Sequence, residues 1–238
     1  MVSKLLSDLL QLDTLPKRYE IKFLLQHVPY EEVCHIIKEN PALFSEIYQE
    51  RQVNNIYLDS PFLKSYEDNL IGYSQRIKVR IRWYGPFFGT IHKPVLELKI
   101  RTGYQMTKVS YPLEPFQLHH NFSFDVLKKE VFPKSKLPAF IIEKLHSLVP
   151  VLFNSYRRRY FLSADKRYRL TLDTNISYYK AKKHGNHFVA FTKNHGVLVL
   201  ELKFDPEHHA FAHHITQHFP FRLTKSSKYV SGISLLDY

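Results

Sequence analysis

Glycine is scarce. The 238 residues hold seven of them, and no Gly/Ser linker or low-complexity stretch divides the chain, which reads as one domain spanning residues 1–238. Cysteine is scarcer still: a lone Cys34 excludes an intramolecular disulfide framework and a thiolate zinc cage, and fits a reducing, cytoplasmic setting. Beside Val33 and Ile37 it reads as a small half-buried hydrophobe with no chemistry of its own. No apolar run approaches the roughly 20 residues that cross a bilayer as a helix. Residues Met1 to Leu12 carry Lys4 and Asp8 within a helical Leu pattern rather than a signal-peptide core, so the chain reads as soluble with an N-terminal helix in residues 1–15. Walker A, G-x-G-x-x-G and G-x-S-x-G sequences are all missing, which leaves P-loop, Rossmann and α/β-hydrolase readings without support.

Acidic residues are also in deficit. Against 34 Lys and Arg stand 22 Asp and Glu, a formal net charge of +12, so the expected partner is an anion: nucleic acid, a phosphorylated metabolite, polyphosphate or acidic lipid. What the chain has in plenty is tyrosine and phenylalanine, 16 and 18 of them, set in alternating segments. Nine stretches read as strands by their period of two: 18–24, 54–58, 75–83, 95–101, 105–111, 155–161, 168–175, 187–191 and 197–204. Amphipathic spacing predicts helices over 5–12, 31–38, 139–149 and 207–218. Nine strands with few helices give an α+β class, built on a large antiparallel sheet or a closed barrel.

One face of these strands is unusual. Successive side chains of a strand point to opposite faces, and here one parity is repeatedly cationic. Lys78, Arg80 and Arg82 share a face opposite Ile77, Val79 and Ile81. The same rule groups Glu20 with Lys22, Glu97 with Lys99 and Arg101, Arg157 with Arg159, Arg167 with Arg169 and Asp173, and Glu201 with Lys203. On one strand, such a face is ordinary solvent exposure. Six strands of one design instead suggest a closed barrel with an apolar outer wall, in which the cations turn inward. A lumen so charged is unfavourable unless an anion fills it, and phosphate, gripped by Arg forks and Lys point charges, is the natural filling. The few carboxylates on these faces serve as charge balancers or as oxygen ligands for Mg²⁺ or Mn²⁺, with Glu201 the first choice.

Arg18-Tyr19-Glu20-Ile21-Lys22-Phe23, Ile56-Tyr57-Leu58-Asp59, Lys78 to Tyr84, Glu97-Leu98-Lys99, Tyr156 to Phe161, Arg169 to Thr174, Glu201 to Phe204 and Lys225-Ser226-Ser227-Lys228-Tyr229 follow one another in family order. Together they resemble the VTC-type polyphosphate polymerase domain, a branch of the triphosphate tunnel metalloenzymes. The resemblance implies an antiparallel β-barrel tunnel with flanking helices. Its implied activity is Mn²⁺- or Mg²⁺-dependent transfer of the γ-phosphoryl group of ATP to a growing inorganic polyphosphate or pyrophosphate chain. By motif position, it implies Lys22, Arg80, Arg82, Lys99, Arg157 and Arg169 as the catalytic cations, Glu201 as the metal ligand, and Lys225, Ser227 and Lys228 as a phosphate clamp at the tunnel end. Lys78, Lys108, Arg159 and Lys203 follow from strand parity or position. No specific nucleic acid is expected, and any membrane association falls to a partner.

Two alternatives stay open: a tunnel triphosphatase acting on ATP or tripolyphosphate, and a non-catalytic polyanion-binding module. One departure bears on the first. The hydrolytic relatives open with Glu-x-Glu-x-Lys, whereas Arg18 stands in the place of the first Glu here, which favours transfer over hydrolysis. The histidines 208, 209, 213, 214 and 218 contain i,i+4 pairs but no Cys or third-strand ligand, so a solvated face is the plainer reading. Trp83, Tyr57, Tyr84 and Tyr160 read as core more readily than as adenine platforms.

Overall fold

The computed structural model describes residues 14–103, 105–189 and 191–236; the predicted helix at 5–12 lies outside them. Strand β1 (Tyr19–Gln26) leads to helix α1 (Tyr30–Glu39), β2 (Ser45–Asp59), α2 (Lys64–Leu70) and β3 (Gln75–Tyr84). Next come β4 (Gly89–Ile91), β5 (Val95–Thr102), β6 (Gln105–Pro112) and β7 (Phe116–Leu118), and then helical turns from Leu127 to Lys134 and helix α3 (Ala139–His146). The chain closes with β8 (Val149–Leu162), β9 (Tyr168–Lys180), β10 (Phe191–Lys193), β11 (Val197–Phe204), α4 (His209–Thr216) and α5 (Lys228–Leu235).

The principal sheet is antiparallel throughout, in the order β1-β11-β9-β8-β2-β3-β5-β6, with β10 paired to β9. Its two edges meet. Arg18 N–H donates to the Met106 carbonyl at 3.2 Å and Met106 N–H donates back at 3.4 Å, joining the start of β1 to β6. Closure satisfies edge groups that an open sheet would leave bare, and it makes the alternating faces an inside and an outside.

The outer wall is apolar and covered. Phe23, Leu170, Leu172, Leu200 and Leu202 pack under α1 and α4, meeting Val33, Ile37, Ala212 and Ile215. On the far side Val79, Ile81, Trp83, Leu96 and Leu98 pack against Phe116, Phe122, Leu127, Ile141 and Leu145. Helix α1 has the charge order its macrodipole favours, with Glu31 and Glu32 in the first turn and Lys38 in the last. A third core fills one end of the barrel itself, where Tyr229 and Ile233 of α5 pack on Tyr57, Leu152, Tyr178 and Val199. Gly232 allows that approach: a Cβ there would stand 2.5 Å from Leu152 and 2.6 Å from Tyr178.

Several sequence expectations need correction. The strand predicted at 187–191 is displaced to Phe191–Lys193. Phe188 sits at φ 57°, and the Asn186 side chain ties Lys182 and Phe122 backbone groups into a loop that competes with a ladder. β2 begins nine residues before the predicted 54, while α3 stops at His146 so that β8 starts at Val149. Helices α2 and α5 were not legible in the pattern.

Candidate functional site: a cationic lumen

The lumen encloses a cavity of about 290 Å³. Ten cationic side chains line it: Arg18, Lys22, Lys78, Arg80, Arg82, Lys99, Lys108, Arg158, Lys203 and Lys228. Two carboxylates, Glu20 and Glu201, line it with them. Strand alternation puts them there. Cross-strand neighbours share a face, so Lys22 lies opposite Glu201, Glu20 opposite Lys203, Lys78 opposite Lys99, and Arg80 opposite Glu97.

Charge is matched unevenly. Arg158 forks onto Asp173, Nε to Oδ1 at 2.5 Å and Nη2 to Oδ2 at 2.6 Å, and the Lys228 ammonium lies 2.5 Å from the same Oδ2. Lys203, Lys22, Arg158 and Lys228 surround Glu201 at 2.9, 3.4, 3.5 and 3.8 Å. Burial alone would raise the Glu201 carboxyl, yet these four cations hold it well below the ordinary carboxylate range. Asp173 is likewise depressed, against its burial, by Arg158 and Lys228. Behind the lining, Glu97 accepts from Arg80 Nε and Nη2 at 2.8 and 2.6 Å and from Lys108 at 3.2 Å.

Lys78 and Lys99 are treated otherwise. Lys78 has no carboxylate within ion-pair distance among the described residues; its Nζ donates to Ser227 Oγ at 2.8 Å. Burial, then repulsion from Lys22, Arg76, Lys99 and Arg80, pushes its pKa well below the lysine range. Glu20, 3.4 Å away, helps Lys99 keep its proton, but burial and the charges of Arg80, Lys22 and Lys203 outweigh it and bring the pKa down to about 7. These two lysines are short of an anion.

The VTC domain family matches residues 17–237. The chain belongs to that family. No curated protein matches this VTC domain. Two solved structures share its fold. One is HpAC1 from Hippeastrum, a candidate adenylyl cyclase described as having a dominant triphosphatase activity; it is 12% identical with a TM-score of 0.53, over 94% of this chain and 99% of that one. The other is a candidate adenylate cyclase from Vibrio parahaemolyticus, 11% identical with a TM-score of 0.51, over 91% of this chain and 98% of that one. The VTC domain thus has the triphosphate tunnel fold, α+β with a β-barrel and flanking helices.

Of the residues predicted from sequence, the VTC domain brings Lys22, Lys78, Arg80, Arg82, Lys99, Lys108, Lys203, Ser227, Lys228 and Glu201 to the one cavity. Arg169 lies on the same face opposite Lys203 but is exposed beyond the cavity, and Lys225 is exposed before α5. Ser227 is the N-cap of α5, its Oγ accepting from Val230 N–H, so the expected clamp is the start of a helix.

The inward placement of Arg157 and Arg159 is corrected. A register shift between Ser155 and Arg157 sets the parity of β8, and Phe161 belongs to the outer core under α1, which turns 157, 159 and 161 outward. Arg157 faces Glu50 at 3.7 Å, while Arg159 binds Glu46 at 2.8 and 2.6 Å and Tyr30 Oη at 2.6 Å and donates to Cys34 Sγ at 3.3 Å. The inward residues are Tyr156, Arg158 and Tyr160. Sequence reasoning missed Arg158, although its position between two tyrosines of equal parity was the available signal. It also missed Asn55, whose Oδ1 accepts from Arg82 Nε at 2.9 Å while Tyr156 Oη accepts from Nη2 at 3.0 Å. Among the aromatics, Trp83 lies in the outer core, Tyr57 stacks on Tyr229 at 5.1 Å, and Tyr48, Tyr84 and Tyr160 surround Arg51 at the end of the barrel away from α5.

Among the described residues no group of three or more His, Cys, Asp or Glu side chains could hold a metal ion, the histidines of α4 included. The lumen does fit a cation that arrives with phosphate: Mg²⁺ commonly takes one or two carboxylates and completes its shell with phosphates and water. Glu201 and Glu20, which share Lys22 at 3.4 and 3.3 Å, are the carboxylates it offers. No helix among the described residues is long and apolar enough to cross a membrane.

Proposed function

We propose that this VTC domain transfers the γ-phosphoryl group of ATP to a growing inorganic polyphosphate chain inside the barrel. The observation that carries the reading is the charge imbalance of the lumen, ten cations against two lining carboxylates, with Lys78 and Lys99 left without adequate counter-charge. A triphosphate supplies the missing anion.

In the transfer, the bond between the γ-phosphorus and the ADP oxygen breaks as a terminal phosphate oxygen of the acceptor chain bonds to that phosphorus, and ADP leaves. Such transfer asks the protein chiefly for alignment and charge neutralisation. Arg80 and Arg82 are held in place for it, the first by Glu97 and the second by Asn55 and Tyr156. Lys22, pinned between Glu20 and Glu201, stays charged despite its burial, its pKa raised by both carboxylates. A divalent cation bound through Glu201, with Glu20 beside it, supplies further neutralisation of the transferring oxygens when present.

Transfer is favoured over hydrolysis by the state of the carboxylates. Glu20, Glu97, Glu201 and Asp173 are all held below the ordinary range by adjacent cations, which makes each a poor base for activating water. A phosphate acceptor is already anionic and needs no such base. The triphosphatase activity described for HpAC1 supports triphosphate chemistry in this fold and keeps hydrolysis as the second reading.

The test is product analysis with ATP and Mn²⁺ or Mg²⁺, with and without a pyrophosphate primer, beside Lys22→Ala and Glu201→Ala. Polymer on a gel that is lost in both variants is the expected result, the Lys22 change costing about 100-fold or more in rate. Free phosphate without polymer would establish the triphosphatase instead. Polyphosphate binding without either product would leave a binding module.

A further inference from the structure

We infer that the outer wall of the barrel carries a surface that docks this chain on an anionic lipid bilayer, with Phe88, Val189 and Phe191 entering the headgroup region and nearby lysines meeting the lipid phosphates. The inference is independent of the chemistry in the lumen. It moves membrane contact, expected from the sequence to fall to a partner, onto the chain itself.

The surface is built from three loops of unusual composition. Residues 86–94, 115–121 and 180–196 contain five lysines and six histidines, and neither an acidic residue nor an arginine. Aromatic contacts bring the loops together. The Phe88 ring lies 4.4 Å from that of His120 and 5.0 Å from that of Phe188, and Phe87 lies 5.1 Å from Tyr179 and 5.6 Å from Phe188. Phe188 also meets Phe153 of the outer core at 5.0 Å, so the cluster sits on the outside of the wall and not in the lumen. Its tips are bare: Val189 is 79% exposed, Phe191 51% and Phe88 37%. Phe191 and Lys193 share one face of β10, and Lys182 and Lys183 stand exposed on the loop that leads to Val189. One carboxylate reaches the rim, Asp125 at 3.5 Å from His184 Nδ1.

The loop is not free to fold these apolar tips away. Asn186 Nδ2 donates to the Lys182 and Phe122 carbonyls at 2.7 and 2.9 Å, and its Oδ1 accepts from Lys182 N–H at 2.7 Å. Phe188 is held at φ 57°, a region that bulky residues rarely adopt. An apolar tip fixed in this way beside lysines has the composition of an interfacial anchor: the bilayer takes the tip and its anionic headgroups take the lysines. Nucleic acid fits less well. Arginine forks, suited to gripping its phosphates, are missing from all three loops, and the most exposed of the tips is an aliphatic valine with no face for a base to stack on. One face of Phe191 is already taken by Tyr179 at 5.6 Å.

The test is cosedimentation of the full chain with phosphatidylcholine vesicles, with and without phosphatidylserine. It compares wild type, V189S/F191S, K182Q/K183Q/K193Q and, as a control for charge, K38Q/K134Q/K166Q. Wild type should bind the vesicles that contain phosphatidylserine and not those of phosphatidylcholine alone. The first two variants should each lose about tenfold or more in partitioning, while the control stays within about threefold of wild type. Thermal unfolding should be unchanged in all three, and the lysine variant tests the surface by itself if the Val189 change disturbs the loop. Equal losses in the two lysine variants would reduce the binding to bulk positive charge and overturn the surface, as would V189S/F191S binding like wild type. Wild type bound to neither vesicle overturns it outright, and single-stranded DNA binding that V189S/F191S then abolishes would give the surface to nucleic acid instead.

Discussion

Two sides of one lumen handle charge in opposite ways. Along β1, β8, β9 and β11, with the start of α5, every buried cation has a carboxylate: Arg158 and Lys228 share Asp173, and Lys203 and Lys22 share Glu201. Along β3 and β5 only Arg80 has a carboxylate opposite it, Glu97; nearer α5, Lys78 faces Lys99 and Arg76 faces Arg101. The first side is complete without a ligand and fixes the geometry of the wall. The second stays electrostatically frustrated until an anion arrives. A binding site built this way puts its matched and its unmatched charges on different residues, and each can be removed separately.

The largest effect should come from breaking the matched side. Arg158→Ala leaves Asp173, wholly buried, with Lys228 alone, and removing one member of a buried ion pair typically costs about 3–5 kcal/mol. Urea denaturation checks it; a loss below about 1 kcal/mol would mean that water or Lys228 compensates and that the side is not self-sufficient.

On the unmatched side the sign should invert. Lys78→Met removes a buried amine without a carboxylate partner, so the ligand-free fold should be as stable as wild type or more so, while tripolyphosphate affinity falls by about tenfold or more for one lost charge-assisted contact. Thermal unfolding and titration of the same sample read both numbers. A fold weakened together with binding would show that the Lys78–Ser227 bond matters more to α5 than the repulsion does.

The pH dependence sharpens the same contrast. Lys99 titrates near 7 when folded, against the ordinary lysine range when unfolded, so between these values the unfolded chain binds more protons and stability rises with pH. The penalty is fully present below pH 7 and gone once the unfolded lysine also deprotonates. Glu201 and Asp173 act at the other end: their stabilisation is present above the unfolded carboxylate pKa and is lost as pH falls through their depressed values. Bound phosphate should draw a proton back onto Lys99. Calorimetry near pH 8 in buffers of different ionisation enthalpy is expected to show net proton uptake on tripolyphosphate binding, an uptake that Lys99→Met reduces. No uptake in wild type would refute the frustrated state of Lys99.

Much of this was legible in the strands. Strict alternation at 77–82 gives the inward face of β3 directly, and the repeated Glu-x-Lys segments at 20–22, 97–99 and 201–203 carry the same information, because a period of two survives any twist of the barrel. What closes the barrel, a bridge of two backbone hydrogen bonds at Arg18 and Met106, leaves no side-chain pattern to read. Helix α5 was hidden for a different reason. Its Ser, Gly and Tyr content is poor in helix propensity, and it forms because Gly232 lets it sit against Leu152 and Tyr178 while Tyr229 bonds to the buried Asp59. Tertiary contacts decide such a segment.

The smallest expected effect is at the place where sequence parity failed. Three successive arginines, 157 to 159, offer no alternation, since each can be read as the inward one. The decision falls to neighbours: Phe161 is drawn into the core beneath α1, so Arg157 and Arg159 point out and Arg158 points in. Arg157 is half exposed, and its pair with Glu50 at 3.7 Å is a surface contact of the kind that contributes little. Arg157→Gln should therefore alter stability by no more than about 0.5 kcal/mol and leave tripolyphosphate affinity unchanged within error. The comparison with Arg158→Ala is the informative one, because the two substitutions remove the same charge from adjacent residues. Equal losses of ligand affinity in both would mean that β8 is turned by one residue in solution and that Arg157 holds phosphate after all.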